Sequence, residues 1–308
     1  MKNIKKRAFS LAELIVAMAI IGVVTAIVLP TLQLNAQEYS LKIKRKVFAS
    51  RISQAIPTIA NLKGYSSASD FVTNGLKNAL SLRLVCDSDK LFACDLPQML
   101  QATDGSMVAM PTSWSELNPK VTNLNYEDES TGKVYRYSQD DSDSVSAITD
   151  NGESLNIFYN PACSSDAPTY VTGYYAPRSV CLNMIFDLNG VLPPNRVGKD
   201  IGFVTVFRPT DSNVVAITPD FEDLETSAQA DTQQKCRQKS SSLRVPTDYE
   251  LATLFINEKL LPLTDTYYWS ATVNSSESAW YLWEKTGIIT RTGKNRDEAL
   301  DMRCVSKY

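Results

Sequence analysis

The sequence predicts an α+β protein: a long N-terminal transmembrane and stem helix, an antiparallel sheet body, and a smaller α+β region at the C-terminal end. Three observations carry that class. A charge-free apolar run extends from Leu14 to Leu34, β-rich runs separated by turn signals occupy the middle of the chain, and residues 226–308 combine two helical stretches with three aromatic or β-rich runs.

Within the apolar run only Thr25, Thr31 and Gln33 are polar interruptions. At about 1.5 Å rise per residue such a helix crosses a bilayer core of about 30 Å. A secretory signal has a shorter apolar region ending in a small-residue cleavage site; no Ala-x-Ala-like site follows Leu34, so the segment is expected to stay. Lys2, Lys5, Lys6 and Arg7 precede the run and Lys42 is the first basic residue after it. That asymmetry sets the N-terminus in the cytoplasm and exports the chain beyond about residue 38. Farther on, Leu41, Phe48, Ile52, Ile56 and Ile59 recur at three, four or seven residues, the spacing of an amphipathic stem. Pro57 is expected to bend it and Lys63-Gly64 to end it.

One carboxylate, Glu13, stands at the edge of the run, where a charge needs a partner. The stretch "RAFSLAELIVAMAIIGVV", followed by Leu29-Pro30, closely resembles the class III signal of type IV pilins and type II secretion pseudopilins. The shared features are a short basic leader, a small residue, Phe9, a glutamate at the fifth mature position and a proline at the twenty-second. The resemblance implies a prepilin peptidase cut between Ala8 and Phe9, N-methylation of Phe9, and a filament-assembly role for Glu13 facing the N-terminal amine of a neighbouring subunit. Where the family usually has glycine before the cut, this chain has Ala8. The implied location is the inner membrane, single-pass with the N-terminus in the cytoplasm, then a periplasmic or extracellular filament at the cell surface.

Composition agrees with export. Six cysteines and no histidine in 308 residues suit a disulfide-permitting compartment. There is no Cys-x-x-Cys pair, and without histidine the usual mixed zinc sites cannot be built. Removing the leader takes four of the 31 basic residues and no acidic one, so 27 positive against 34 negative side chains leave −7. No nucleic-acid partner is expected from that balance.

The boundaries read as a leader at 1–8, a transmembrane and stem helix at 9–64, a pilin-like antiparallel sheet head at 65–225 and a C-terminal module at 226–308. The head opens with a helix expected near Asp70 to Leu84. "SAITDNGESLNIFYN" then has apolar runs on both sides of Asn151-Gly152, a strong hairpin signal. Between Cys181 and Phe207 one loop holds Asp187, Asn189, Gly190, Pro193, Asn195 and Asp200. It resembles an Asp-x-Asn-Gly…Pro-Asn…Gly-x-Asp stretch in the heads of some bacterial pilin-like proteins. Oxygen ligands at Asp187, Asn189 and Asp200 suit Ca2+. The same residues suit a plain turn whose dihedrals favour Asn-Gly and Pro, and the twelve-residue calcium-loop pattern is absent.

In residues 226–308, "TSAQADTQQKCRQKSSS" reads as a helix carrying Cys236, and "RVPTDYELATLF" as a strand end, a turn and a second helix. Thr247 with Glu250 three residues on forms a capping box. "YYWSATV", "AWYLWEKTG" and "DMRCVSKY" follow as strands. This order resembles a C-type-lectin-like module, nearest to the family of surface modules related in fold to the sulfatase-modifying factors. In that fold the first helix and last strand are tied together, which implies the pair Cys236–Cys304. The domain plan then selects Cys86–Cys94 and Cys163–Cys181 for the remaining cysteines, out of 15 pairings of six. The calcium-and-sugar triplets of true lectins are missing, and both cysteines of the module are already paired, so neither mechanism carries over. Trp269, Trp280 and Trp283 suit a stacking ligand face, or equally the core of a small domain. Arg291, with Arg244, Lys294 and Arg296, suits an anionic glycan or a solvated surface.

Two function classes stand. One is a minor pilin or pilin-like filament subunit that presents the C-terminal module at the cell surface for adhesion or ligand binding. Its partners are other pilin subunits, the prepilin peptidase and a surface, glycan or protein ligand. The other is a pseudopilin of a type II secretion or pilus-assembly apparatus. An enzyme is not expected, because the commonest general base is missing and no nucleophile is paired with a base.

Overall fold

The computed structural model describes residues 11–59, 62, 64–87, 93–128, 133–138, 143–163, 174–175, 180–207, 214–217, 221–264, 266–273, 278–290 and 299–306. The chain divides into two units, residues 1–44 and residues 45–308.

Helix α1 runs from Leu11 to Ala55. In the first unit its stretch Leu11–Val28 is apolar apart from Glu13 and Thr25, and none of it is buried. In the second unit its apolar period turns inward: Phe48, Ile52, Ala55 and Ile56 are buried. Pro57 converts the last turn to a 3-10 helix at Ile56–Thr58, because a proline ring excludes the α-helical hydrogen bond. The expected bend is therefore a helix end.

The next helix is shorter than expected. It comprises α2 (Ala68–Asp70), a π-helical segment at Phe71–Leu76, and α3 (Lys77–Leu80). Ser67 caps its start by accepting from the Asp70 N–H. Its end is Ser81, in the left-handed region at φ 53°, after which Leu82–Asp87 form strand β1. The expected extension to Leu84 is lost because Leu84 pairs with Ile148 in a sheet.

Two small ribbons follow, β2 (Met99–Gln101) with β3 (Met107–Ala109), and β4 (Asn123–Asp128) with β5 (Lys133–Ser138). Between them lie α4 (Trp114–Leu117) and α5 (Pro119–Thr122). The Asn151-Gly152 hairpin forms from β6 (Val145–Thr149) and β7 (Ser154–Tyr159), with Gly152 at φ 87° where other residues are strained. After β8 (Tyr174–Tyr175) come β9 (Val180–Asp187), β10 (Ile201–Phe207) and β11 (Val214–Ile217). The first sheet is antiparallel in the order β1-β6-β7-β9-β10-β11.

The second sheet begins with β12 (Phe221–Ala228), which leads into α6 (Gln229–Lys239), β13 (Leu243–Arg244) and α7 (Asp248–Ile256). Strands β14 (Tyr267–Val273), β15 (Ala279–Trp283), β16 (Ile288–Thr290) and β17 (Ala299–Ser306) complete it. Its order is β12-β17-β14-β15-β16-β8, with β13 also on β17. The expected boundary at 225/226 falls inside β12, and β8 joins this sheet from the 65–225 range.

One core links the two sheets. Phe158, Ile185, Phe203 and Phe207 of the first sheet share it with Leu251, Phe255 and Ile256 of α7 and with Tyr268, Leu282 and Ile289 of the second. Buried amides cross the same layer: Asn183 Nδ2 donates to Asn257 Oδ1 at 2.9 Å, and Thr205 Oγ1 donates to Asn183 Oδ1 at 2.8 Å. On the other side Phe48 of α1 meets Phe186 with ring centroids 4.7 Å apart.

Candidate functional site

Glu13 lies in the first turn of α1, where the partial positive charge of a helix N-terminus favours a carboxylate. Around it Leu11, Leu14, Ile15, Val16 and Met18 are exposed. A soluble protein does not leave so long an apolar surface uncovered. The segment Leu11–Val28, with mean hydropathy 2.6, is long and apolar enough to cross a membrane. The cleavage and methylation residues Ala8 and Phe9 lie outside the described residues.

The six cysteines form three bridges: Cys86–Cys94, Cys163–Cys181 and Cys236–Cys304, with Cα separations of 6.1, 4.9 and 5.7 Å. The last joins α6 to β17. Nearby, Arg244 donates to both Glu250 oxygens, from Nη1 at 2.8 Å and Nη2 at 2.6 Å, and Glu250 completes the capping box with Thr247. The Arg-x-Pro-Thr-x-x-Glu stretch thus has an internal structural role in setting the entry of α7.

The three tryptophans of the C-terminal region separate. Side chains alternate along a strand, so Tyr281 and Trp283 share one face of β15 while Trp280 is on the other. Trp269, fully buried, clusters with Tyr281, Leu300, Tyr267 and Trp283. Tyr267 stacks on Trp283 at 5.5 Å between centroids, and both are half-buried. Trp280 instead packs against the central core. Arg291 lies outside the described residues.

In the loop between β9 and β10, Asp200 is fully buried and its carboxylate accepts from Asn195 N–H at 2.8 Å and Arg196 N–H at 2.7 Å. Asp187 Oδ1 accepts from Asn189 N–H at 2.9 Å, and Asn189 Nδ2 donates to the Leu192 and Pro193 carbonyls. Asp200 thereby closes its own turn on one side, while Asp187 and Asn189 stand together on the other. Among the described residues no three Asp, Glu or Cys side chains converge as a metal-holding group.

Sequence reasoning misses one charged cluster altogether. Lys120 of α5 contacts Glu284, in the β15–β16 turn, and lies 3.4 Å from Glu258, just after α7. Glu284 is 1% exposed. Burial first, then the Glu258 carboxyl, push it up to about 8, against the opposing pull of Lys120. The partners are 138 and 164 residues apart in sequence, so no local pattern signals them.

These features define an α+β protein with a membrane-competent N-terminal helix and a disulfide-bridged body. Residues 3–29 match the family model described as the prokaryotic N-terminal methylation motif. The match supports a class III prepilin signal, and with it a type IV pilin-like or pseudopilin subunit whose general partners are pilin subunits and a prepilin peptidase. The motif and the apolar helix fit a membrane-anchored pilin and suggest a structural subunit rather than an enzyme. No curated protein matches the chain.

Proposed function

We propose that the protein is a minor pilin or pilin-like filament subunit, held in the inner membrane by α1 before assembly and displaying residues 226–308 at the cell surface for adhesion or ligand binding. One observation carries the reading: the methylation-motif segment continues into a single helix whose apolar residues are exposed over Leu11–Val28 and whose later residues Phe48, Ile52 and Ile56 are core. Such a helix needs a bilayer or neighbouring helices to cover its first part. The Tyr267–Trp283 stack is the place where a ligand with a flat apolar face, such as a sugar ring, would dock.

The alternative, a pseudopilin of a type II secretion or pilus-assembly apparatus, draws on a separate observation. Leu251, Phe255 and Ile256 belong to the same core as β7, β9 and β10, so residues 226–308 are built into the body rather than hung from it. Mechanical shearing of cells separates the readings. A surface-filament subunit leaves with long filaments, whereas a subunit of a short periplasmic filament stays with the cell envelope.

A further inference from the structure

The chain holds three Asn-Gly pairs, Asn74-Gly75, Asn151-Gly152 and Asn189-Gly190. Asparagine is chemically labile, and most so before glycine, whose freely turning backbone carries no side chain to shield its nitrogen from the asparagine carboxamide. The fold treats the three pairs differently. Asn74-Gly75 lies within the π-helical segment Phe71–Leu76, where backbone N–H groups are engaged along the helix, and Asn74 Nδ2 donates to Asp70 Oδ1 at 2.7 Å. Asn189 is clamped: its Nδ2 donates to the Leu192 and Pro193 carbonyls at 2.8 and 3.1 Å and its N–H to Asp187 Oδ1 at 2.9 Å. Gly190 beside it is buried against Asp95. Asn151 and Gly152, in contrast, are both exposed at the tip of the β6–β7 hairpin, and beyond the chain neighbours no atom stands within 4 Å of where a Gly152 methyl would be. Among the described residues the Asn151 side chain has no hydrogen-bond partner. One bond, from Gly152 N–H to the Thr149 carbonyl at 3.0 Å, restrains the glycine nitrogen, and exposed turn bonds are among the first to open in a native chain.

We infer that Asn151 is a self-modification site, converted in the folded protein to aspartate and isoaspartate while Asn74 and Asn189 persist. The inference does not depend on the filament reading. Gly152 N gives up its proton to solvent base and attacks Asn151 Cγ. The new N–Cγ bond closes a succinimide ring as Cγ–Nδ2 breaks, and Nδ2 takes a proton and leaves as ammonia. Water then opens the ring. Cleaving the new N–Cγ bond gives aspartate; cleaving the bond from Gly152 N to the Asn151 main-chain carbonyl carbon gives isoaspartate, with the chain routed through Cβ. The balance is one water consumed and one ammonia released. The neighbour gives the reaction a structural consequence, because Glu153 accepts from Arg51 of α1. A new carboxylate at position 151 stands between Asp150 and Glu153 in sequence, and isoaspartate adds a backbone carbon to the turn. Turn length fixes the hairpin register, here through Gly152 N–H to the Thr149 carbonyl and Thr149 N–H to the Glu153 carbonyl at 2.9 Å. Conversion therefore loosens the hold of Arg51 on the hairpin.

The test ages the full-length protein in detergent at body temperature and mildly alkaline pH, and follows each Asn-Gly peptide by mass spectrometry with isoaspartate detection. The Asn151 peptide should become heavier by about 1 Da, the difference between a carboxyl and a carboxamide, and should carry isoaspartate. It should convert about tenfold or more faster than the Asn74 and Asn189 peptides, whereas in urea, where the fold no longer sorts them, the three should convert at similar rates. Conversion at Asn151 no faster than at Asn74 and Asn189 in the folded protein would overturn the site. The urea midpoint of the aged wild type should fall as isoaspartate accumulates, and that of Asn151→Gln, whose longer side chain forms the ring far more slowly, should hold. A midpoint that stays level in fully converted wild type would overturn the link to the Arg51 contact.

Discussion

Arg51 Nη1 donates to both carboxylate oxygens of Glu153, at 2.8 and 2.9 Å, and its Nη2 reaches the Leu80 carbonyl at 3.3 Å. One side chain of α1 thereby holds the β6–β7 turn and the end of α3 together. Glu153 is only 9% exposed, so removing its partner strands a carboxylate that is largely desolvated. Arg51→Met should lower stability by about 1–3 kcal/mol in urea unfolding, with an unchanged denaturant slope. A loss below a few tenths of a kcal/mol would reduce the pair to a surface contact.

Lys120, Glu258 and Glu284 tie α5 to the end of α7 and to the β15–β16 turn. The Glu284 carboxyl moves from 4.5 up to about 8 on folding, so the folded chain binds this proton more tightly than the unfolded chain does. Its contribution is fully present below about pH 4.5 and drains away as pH rises through about 8. Glu284→Gln keeps the shape and cannot ionise. Urea midpoints taken at about pH 5, 7 and 8.5 should fall more steeply for the wild type than for the variant, and parallel trends would contradict this assignment.

The Cys236–Cys304 bridge spans 68 residues of chain, the longest of the three loops. Replacing both cysteines with serine should cost on the order of 2–5 kcal/mol. Hydrogen exchange should rise first in α6, β13 and β17, which the bridge gathers. Uniform loosening of the first sheet as well would show that the shared core transmits the loss.

How much of this was legible in the chain depends on the range of the contact. The stem stripe of Phe48, Ile52, Ile56 and Ile59 could be read because helical period is local, and so could the Asn151-Gly152 hairpin and the Thr247–Glu250 capping box. Leu82 to Leu84 look helical by continuation from Asp70, and only pairing with β6, over 60 residues on, makes them a strand. The Asp187–Asn189 contact lies two residues apart and is local, whereas the pairing of Asp187 with Ser154 comes from strand register, which local spacing does not specify. Lys120 and its two carboxylates share no segment at all.

Glu13 should serve assembly and not folding. Glu13→Ala ought to leave the disulfide-bridged body with wild-type melting behaviour and the chain in the membrane, while its recovery in sheared filaments drops severalfold. Wild-type recovery of the variant would remove the neighbour-amine role.

The central claim is that residues 3–29 act as a prepilin signal, and the mature N-terminus reads it directly. Intact-mass and N-terminal peptide analysis of the protein purified from cells with an active prepilin peptidase should show a chain beginning at Phe9 and carrying one methyl group on its amine. A chain that still holds residues 1–8, or one cut after the apolar run, would contradict the account.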